Sequence, residues 1–153
     1  MIDLDLAAKK VQSECMCTRA RQATRLLSRI YDDFLRPTGL QITQFTVIIG
    51  TARFGERGAR IGRLAEKLVT DRTTLTRNIA PLEKGGYVRV ARSPDDARVK
   101  VIFLTRKGER AIELGMPLWE QAQEVVRTRL SAARAARLDA ELAAVRTHLD
   151  DAG

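Results

Sequence analysis

Apolar residues fall at helical spacing along most of this chain, with one stretch that alternates instead. From about Leu6 to Arg36, Val11, Cys15, Leu26, Leu27, Ile30 and Phe34 recur among many charges until Pro37-Thr38-Gly39 stops the run, which predicts one long amphipathic helix. Thr43 is placed to cap a second helix through Phe45, Val47, Ile48 and Ile49, ending near Gly55 and Gly58. Two short helical patterns follow, first Ile61, Leu64, Ala65 and Leu68, then Leu75, Ile79 and Leu82. Only Val69-Thr70-Asp71 separates them, and two short helices joined by about three residues make a helix-turn-helix. Asp71 or Thr70 is the natural N-cap of the second helix. Pro81 removes a hydrogen bond inside it, which predicts a kink or an early end.

Gly85-Gly86 closes the helical region, and Tyr87-Val88-Arg89-Val90-Ala91-Arg92 then alternates apolar with basic, as a half-exposed strand does. After Ser93-Pro94-Asp95-Asp96 a second strand, Val99 to Leu104, runs back, giving a β-hairpin with a polar, basic tip. Thr105 opens another long helix through Ile112, Leu114, Leu118, Trp119, Val125, Val126 and Leu130, with a kink expected at Pro117. A last helix from Ala132 to Leu149 carries Leu138, Leu142, Val145 and Leu149 on one stripe. The order helix, helix-turn-helix, hairpin predicts a mostly α fold with a small β-hairpin wing. It amounts to one domain over 1–153, with a winged helix-turn-helix lobe at about 40–105 and helical regions at 1–37 and 106–153.

A chain of 153 residues buries enough surface to fold without disulfides or metals. Lys and Arg outnumber Asp and Glu by 27 to 19, a formal net charge of +8 that attracts polyanions. No run approaches the roughly 18 apolar residues of a membrane span, and the N-terminus MIDLDLAAKK is acidic before it is basic, unlike a secretory signal. A cytoplasmic protein is therefore expected, with Cys15 and Cys17 reduced and too few to form a zinc site.

The second helix of a helix-turn-helix enters the major groove, where all base pairs are distinguishable. Its polar face here is Arg72, Thr73, Thr74, Thr76 and Arg77, with Leu75, Ile79 and Leu82 turned inward. Arginine pairs bidentately with guanine, and threonine meets phosphate or a thymine methyl. Arg89, Arg92, Arg98 and Lys100 collect on the hairpin, the element positioned to reach phosphates or a minor groove, and Asp96 is expected to orient the Arg98 guanidinium through a fork-shaped ion pair.

The residues Ile61-Gly-Arg-Leu-Ala-Glu-Lys-Leu, Asp71-Arg-Thr-Thr-Leu-Thr-Arg-Asn-Ile-Ala-Pro-Leu-Glu-Lys-Gly-Gly-Tyr-Val, Ser93-Pro-Asp-Asp-Ala-Arg and Leu104-Thr-Arg-Lys-Gly closely resemble the MarR family of bacterial regulators. The resemblance implies a winged-helix homodimer, held by its first and last two helices, that binds a pseudo-palindromic operator in double-stranded DNA and usually represses. It places Arg72, Thr73, Thr74, Thr76 and Arg77 on the recognition helix and Asp96 with Arg98 on the wing. It further implies a pocket for a small aromatic ligand, for which Tyr31, Phe45, Met116 and Trp119 are the candidates. The apolar stripes of the terminal helices independently call for a partner, and a second copy is the simplest one. Two-fold symmetry would set the recognition helices about one duplex turn, roughly 34 Å, apart.

Cys15 and Cys17 admit two roles: small buried apolar residues of the dimer helices, or oxidisable thiols. Within an intact helix residues two apart lie about 200° around the axis, so a disulfide between them requires local unwinding or another subunit. Cys17 and Tyr31 keep the spacing found in the family's organic-peroxide sensors, whereas the other supporting tyrosines fall on Arg21 and Ile42. His148 reads as a helix-end surface residue. No nucleophile elbow, His-Glu-x-x-His or phosphate-cradling loop is present, so neither an enzyme nor a cofactor is expected. The competing class is a winged-helix protein-interaction module that does not bind DNA.

Overall fold

The structure is a computed structural model that describes residues 2–93, 96 and 98–150. In chain order it has α1 (Leu4–Glu14), α2 (Met16–Leu35), a 3₁₀ turn (Arg36–Thr38), α3 (Ile42–Ala52), a second 3₁₀ turn (Gly55–Arg57), β1 (Ala59–Arg60), α4 (Ile61–Lys67) and α5 (Arg72–Lys84). It continues with β2 (Val88–Arg92), β3 (Lys100–Leu104), α6 (Arg106–Leu130) and α7 (Ala132–Asp150). The fold is mostly helical with a small antiparallel sheet, as the periodicity predicts. The chain divides into two compact units, Met1–Tyr31 with Gln121–Gly153, and Asp32–Glu120.

The unit Asp32–Glu120 is built around a core of Leu35, Phe45, Val47, Ile48, Leu64, Leu75, Ile79, Leu82, Val88 and Ile102. The apolar positions that the sequence marks on α3, α4 and α5 are the ones that face this core, whereas Leu114 of α6 is exposed. The sheet has the order β1-β3-β2, with Ile102 paired to Val90 on one side and to Ala59 on the other. β1 was not legible in the sequence because it is two residues long. The N–H of Ile42 is accepted by Asp32 Oδ1 at 2.6 Å and that of Gln41 by Gln44 Oε1 at 3.0 Å, so the cap of α3 is at Gln41 and not at the expected Thr43. Pro81 does not end α5, which continues to Lys84. Its carbonyl still accepts from Gly85 N–H at 2.9 Å, and the buried Leu82 lies beyond it.

The turn between α4 and α5 is a Schellman-type closure: Thr70 N–H donates to Ala65 O at 3.0 Å and Val69 N–H to Glu66 O at 3.1 Å. Val69 takes the left-handed conformation there, with φ 50°, a position that favours glycine and strains a β-branched side chain.

In the unit Met1–Tyr31 with Gln121–Gly153, the single long helix expected over 6–36 is instead two. Cys15 is extended, with φ −72° and ψ 110°, and separates α1 from α2. Its carbonyl accepts the Arg19 N–H at 3.1 Å, the first bond of α2, so Cys15 is the N-cap of that helix. Apolar residues remain exposed throughout this unit: Leu4, Leu6 and Val11 of α1, Met16 and Leu26 of α2, and Leu138, Leu142, Val145 and Leu149 of α7.

Candidate nucleic-acid interface

α5 is anchored by Leu75, Ile79 and Leu82, all buried, and begins at Asp71. The Asp71 carboxylate accepts from Thr74 Oγ1 at 2.7 Å and from Thr74 N–H at 2.8 Å. These two bonds, the hydroxyl one first, hold its pKa below the ordinary carboxylate value. Arg72, Thr73, Thr74, Thr76 and Arg77 are all exposed, on the face opposite the core. The threonines are not equivalent, however. Thr74 donates its hydroxyl proton to the cap, and Thr76 donates to Arg72 O at 2.7 Å. Both hydroxyls therefore keep only their oxygen lone pairs free, whereas the Thr73 hydroxyl has no hydrogen-bond partner among the described residues. Bonding to the cap carboxylate and bonding to the carbonyl four residues back are both common local arrangements for a helical threonine.

β2 and β3 form the wing. Arg89 is exposed and lays its guanidinium 4.5 Å over the Phe103 ring, a cation–π contact that seats it at the root. The last rung of the ladder pairs Arg92 directly with Lys100, both exposed. Like charges across an antiparallel rung repel, so this end of the wing has a local cost that an anion between the two would remove. Arg98 is exposed beyond them, and its backbone N–H donates to Asp96 Oδ1 at 2.9 Å. The fork-shaped ion pair expected between Asp96 and Arg98 is not formed. The aspartate closes a local turn with the backbone instead, which leaves the guanidinium unpaired by it. Pro94, Asp95 and Ala97 of the expected tip lie outside the described residues.

Two ties that the sequence did not disclose hold helix and wing in register. Glu83, near the end of α5, accepts the Val90 N–H of the edge strand β2 at 3.1 Å through Oε1. Thr105 joins the wing to α6: its N–H donates to Tyr87 O at 3.1 Å, and its hydroxyl donates to Gly86 O at 2.6 Å while accepting from Gly108 N–H at 3.1 Å. Lys107 adds a bond to Gly85 O at 2.7 Å and lies 4.5 Å over the Tyr87 ring, whose hydroxyl donates to Thr38 O at 3.0 Å. The only sequence signal for these ties was the expected cap at Thr105.

Of the four pocket candidates, Tyr31 belongs to one unit and Phe45, Met116 and Trp119 to the other. Tyr31 lines a groove of about 560 Å³ with Leu27, Val126, Arg127, Leu138 and Leu142, and donates to Gln123 Oε1. Burial raises its phenol pKa, and Arg127 opposes that shift. Phe45 is buried in the core of the other unit, where Met116 and Trp119 pack, half-buried, against it. A second groove of about 460 Å³, lined by Ala52, Phe103, Ile112, Glu56, Glu109 and Glu113 among others, includes none of the four.

Cys17 is exposed and Cys15 half-buried. The Cys15 thiol has its pKa lowered, chiefly by the Thr18 hydroxyl and then by backbone N–H groups of the first turn of α2. The intact-helix premise for the pair does not hold, because the backbone is already unwound at Cys15.

A family model for the MarR family matches residues 38–99, the stretch that carries α3, the helix-turn-helix and β2. The chain belongs to the MarR family. The MosR transcriptional regulator of M. tuberculosis, solved in complex with DNA, is 34% identical over 91% of this chain and 98% of its own, with a TM-score of 0.79. The HTH-type transcriptional regulator TtmR of Methylorubrum extorquens is 32% identical over 93 residues, 61% of this chain and 47% of its own length. The chain spans about half the length of the curated relatives it matches. A mutant MarR from E. coli, complexed with operator DNA, shares the fold, with a TM-score of 0.76 at 21% identity over 94% of this chain and 99% of its own.

Proposed function

We propose that this MarR-family chain is a transcriptional regulator that binds a pseudo-palindromic duplex as a homodimer and acts as a repressor. One observation carries the DNA reading: an α5 anchored by three buried aliphatic residues exposes Arg72 and Arg77 beside a wing whose outermost rung opposes Arg92 to Lys100. Such an arrangement is costly in isolation and suited to phosphates running past the wing. The relatives solved with DNA support the same reading. Dimerisation is supported by the apolar residues that unit Met1–Tyr31 with Gln121–Gly153 leaves uncovered, Leu138 and Leu142 among them, which also line its groove. No helix among the described residues is long and apolar enough to cross a membrane, and a regulator of this kind works in the cytoplasm.

Relief of repression is assigned to a small aromatic ligand or to cysteine oxidation. For the second route Cys15 is the better-placed thiol, since its thiolate is favoured at the α2 cap while Cys17 is the exposed neighbour. The test is titration against the duplex upstream of the protein's own gene, with random duplex as competitor, at several salt concentrations, before and after stoichiometric peroxide. Preference for the upstream duplex with a steep salt slope is expected. No preference over random duplex would return the chain to the class of winged protein-interaction modules. Loss of binding on peroxide that is absent in Cys15→Ser assigns the oxidation route, and binding indifferent to peroxide leaves the ligand route.

A further inference from the structure

We infer that Gly62 of α4 is a positioning residue for Arg72 of α5: the guanidinium lies where a side chain at position 62 would begin. A Cβ built on Gly62 would come within 3.0 Å of Arg72 Nη2, 3.4 Å of Cζ and 3.5 Å of Nε, and no other group is as close. The backbone does not call for glycine there. Gly62 is the second residue of α4 and is not among the glycines with positive φ. Glycine also weakens a helix relative to alanine, and α4 is only seven residues long. What the missing side chain makes room for is the flat guanidinium of Arg72.

The seat matters because nothing else holds that guanidinium. Among the described residues it has no hydrogen bond or ion pair, and the adjacent Asp71 carboxylate is taken by Thr74. An exposed arginine whose guanidinium rests against the Gly62 backbone, with its donors unengaged, is closer to the arrangement an acceptor on a partner needs and forfeits less rotamer freedom on binding. The inference rests on Arg72 meeting the duplex, as proposed above.

The experiment compares Gly62→Ala and Gly62→Leu, each alone and combined with Arg72→Ala, by melting temperature and by affinity for the upstream duplex. Arg72→Ala should weaken binding by about 5-fold to 150-fold, the range for one specific arginine contact. Gly62→Ala should weaken it about threefold or more while leaving the melting temperature unchanged or raised, because a helical glycine is replaced by alanine. Gly62→Leu should approach the loss seen for Arg72→Ala. In the Arg72→Ala background neither Gly62 substitution should weaken binding further. Arg72→Ala without effect overturns the role of Arg72 and this inference with it. A clear Arg72→Ala loss, with Gly62→Ala binding as tightly as the parent or with losses that add in the double variants, overturns the seat alone. A weakening by Gly62→Ala that tracks a fall in melting temperature overturns it too, by making position 62 merely structural.

Discussion

Gly108→Ala separates helix propensity from tertiary packing, because the two predict opposite signs. Gly108 lies in the first turn of α6, where alanine is the better helix former by about 1 kcal/mol. A Cβ there, however, would stand 2.2 Å from the backbone carbonyl of Tyr87 and 2.6 Å from Leu104 Cδ1. A carbon cannot approach a carbonyl oxygen so closely, and the oxygen belongs to backbone, so α6 and the start of β2 must separate. That separation pulls on Thr105 N–H to Tyr87 O at 3.1 Å, on the Thr105 hydroxyl's bond to Gly86 O at 2.6 Å, and on the Gly108 N–H bond to the same hydroxyl at 3.1 Å. Overpacking costs about 1 to 3 kcal/mol, and weakening hydrogen bonds that contribute about 1 kcal/mol each adds to it. With about 1 kcal/mol lost from the weakened bonds and about 1 kcal/mol of propensity gained, the net destabilisation is about 1 to 3 kcal/mol, or a fall in Tm of roughly 2 to 12 °C for a chain of this size. Thermal unfolding followed by fluorescence of Trp119, the one tryptophan, at a fixed protein concentration reads this directly. An unchanged or higher Tm would refute the close-approach reasoning and leave propensity as the dominant effect.

Val69→Gly should raise stability by about 1 kcal/mol, measured by urea unfolding, because glycine relieves the left-handed strain in the Schellman turn; a loss of stability would show that no strain is held there. Asp71→Ala should lower Tm by more at neutral pH than near pH 3. The Asp71 pKa is depressed in the folded state, so its contribution is present above the ordinary carboxylate pKa, about 4, and is lost as pH falls through the lower folded value. Equal losses at both pH values would mean that the charge of the cap contributes nothing. Arg98→Ala should weaken duplex binding and flatten the slope of log K against log salt by about one phosphate's worth, and an unaltered slope would remove Arg98 from the phosphate contacts. Glu83→Ala should weaken duplex binding with little change in Tm, since its one bond to Val90 N–H is at the exposed sheet edge; binding at parental strength would mean that the wing keeps its place without this tie.

The elements that read out of the sequence are those whose pattern repeats over several turns. Leu75, Ile79 and Leu82 at helical spacing, with Asp71 ahead of them and Gly85 behind, specify α5, its inward face and therefore its outward face, Arg72 to Arg77. The alternation from Val88 to Arg92 specified the wing in the same way. Where a single residue decided the outcome, the pattern was silent or misleading. The apolar period passes through Cys15 without interruption, yet the backbone there turns extended and caps a new helix. Thr43 has the right chemistry for a cap, but Asp32, ten residues before Ile42, was brought to the Ile42 N–H by the fold.

Phe45, Met116 and Trp119 illustrate the same limit for function. Their aromatic and apolar character fits a ligand pocket or a core equally well; packing buries Phe45 in the core and sets Met116 and Trp119 half-buried against it, which no local period announces. The arginine seat on Gly62, the Glu83 tie and the Thr105 junction join residues 7 to 19 apart, through contacts that no local period encodes. Sequence by itself thus determined which faces are apolar, and in α5 which face is buried, because the side-chain pattern follows the repeat of the backbone. Tertiary structure decided which polar groups meet, because a hydrogen bond depends on distance between segments, and the chain's local pattern carries no record of that distance.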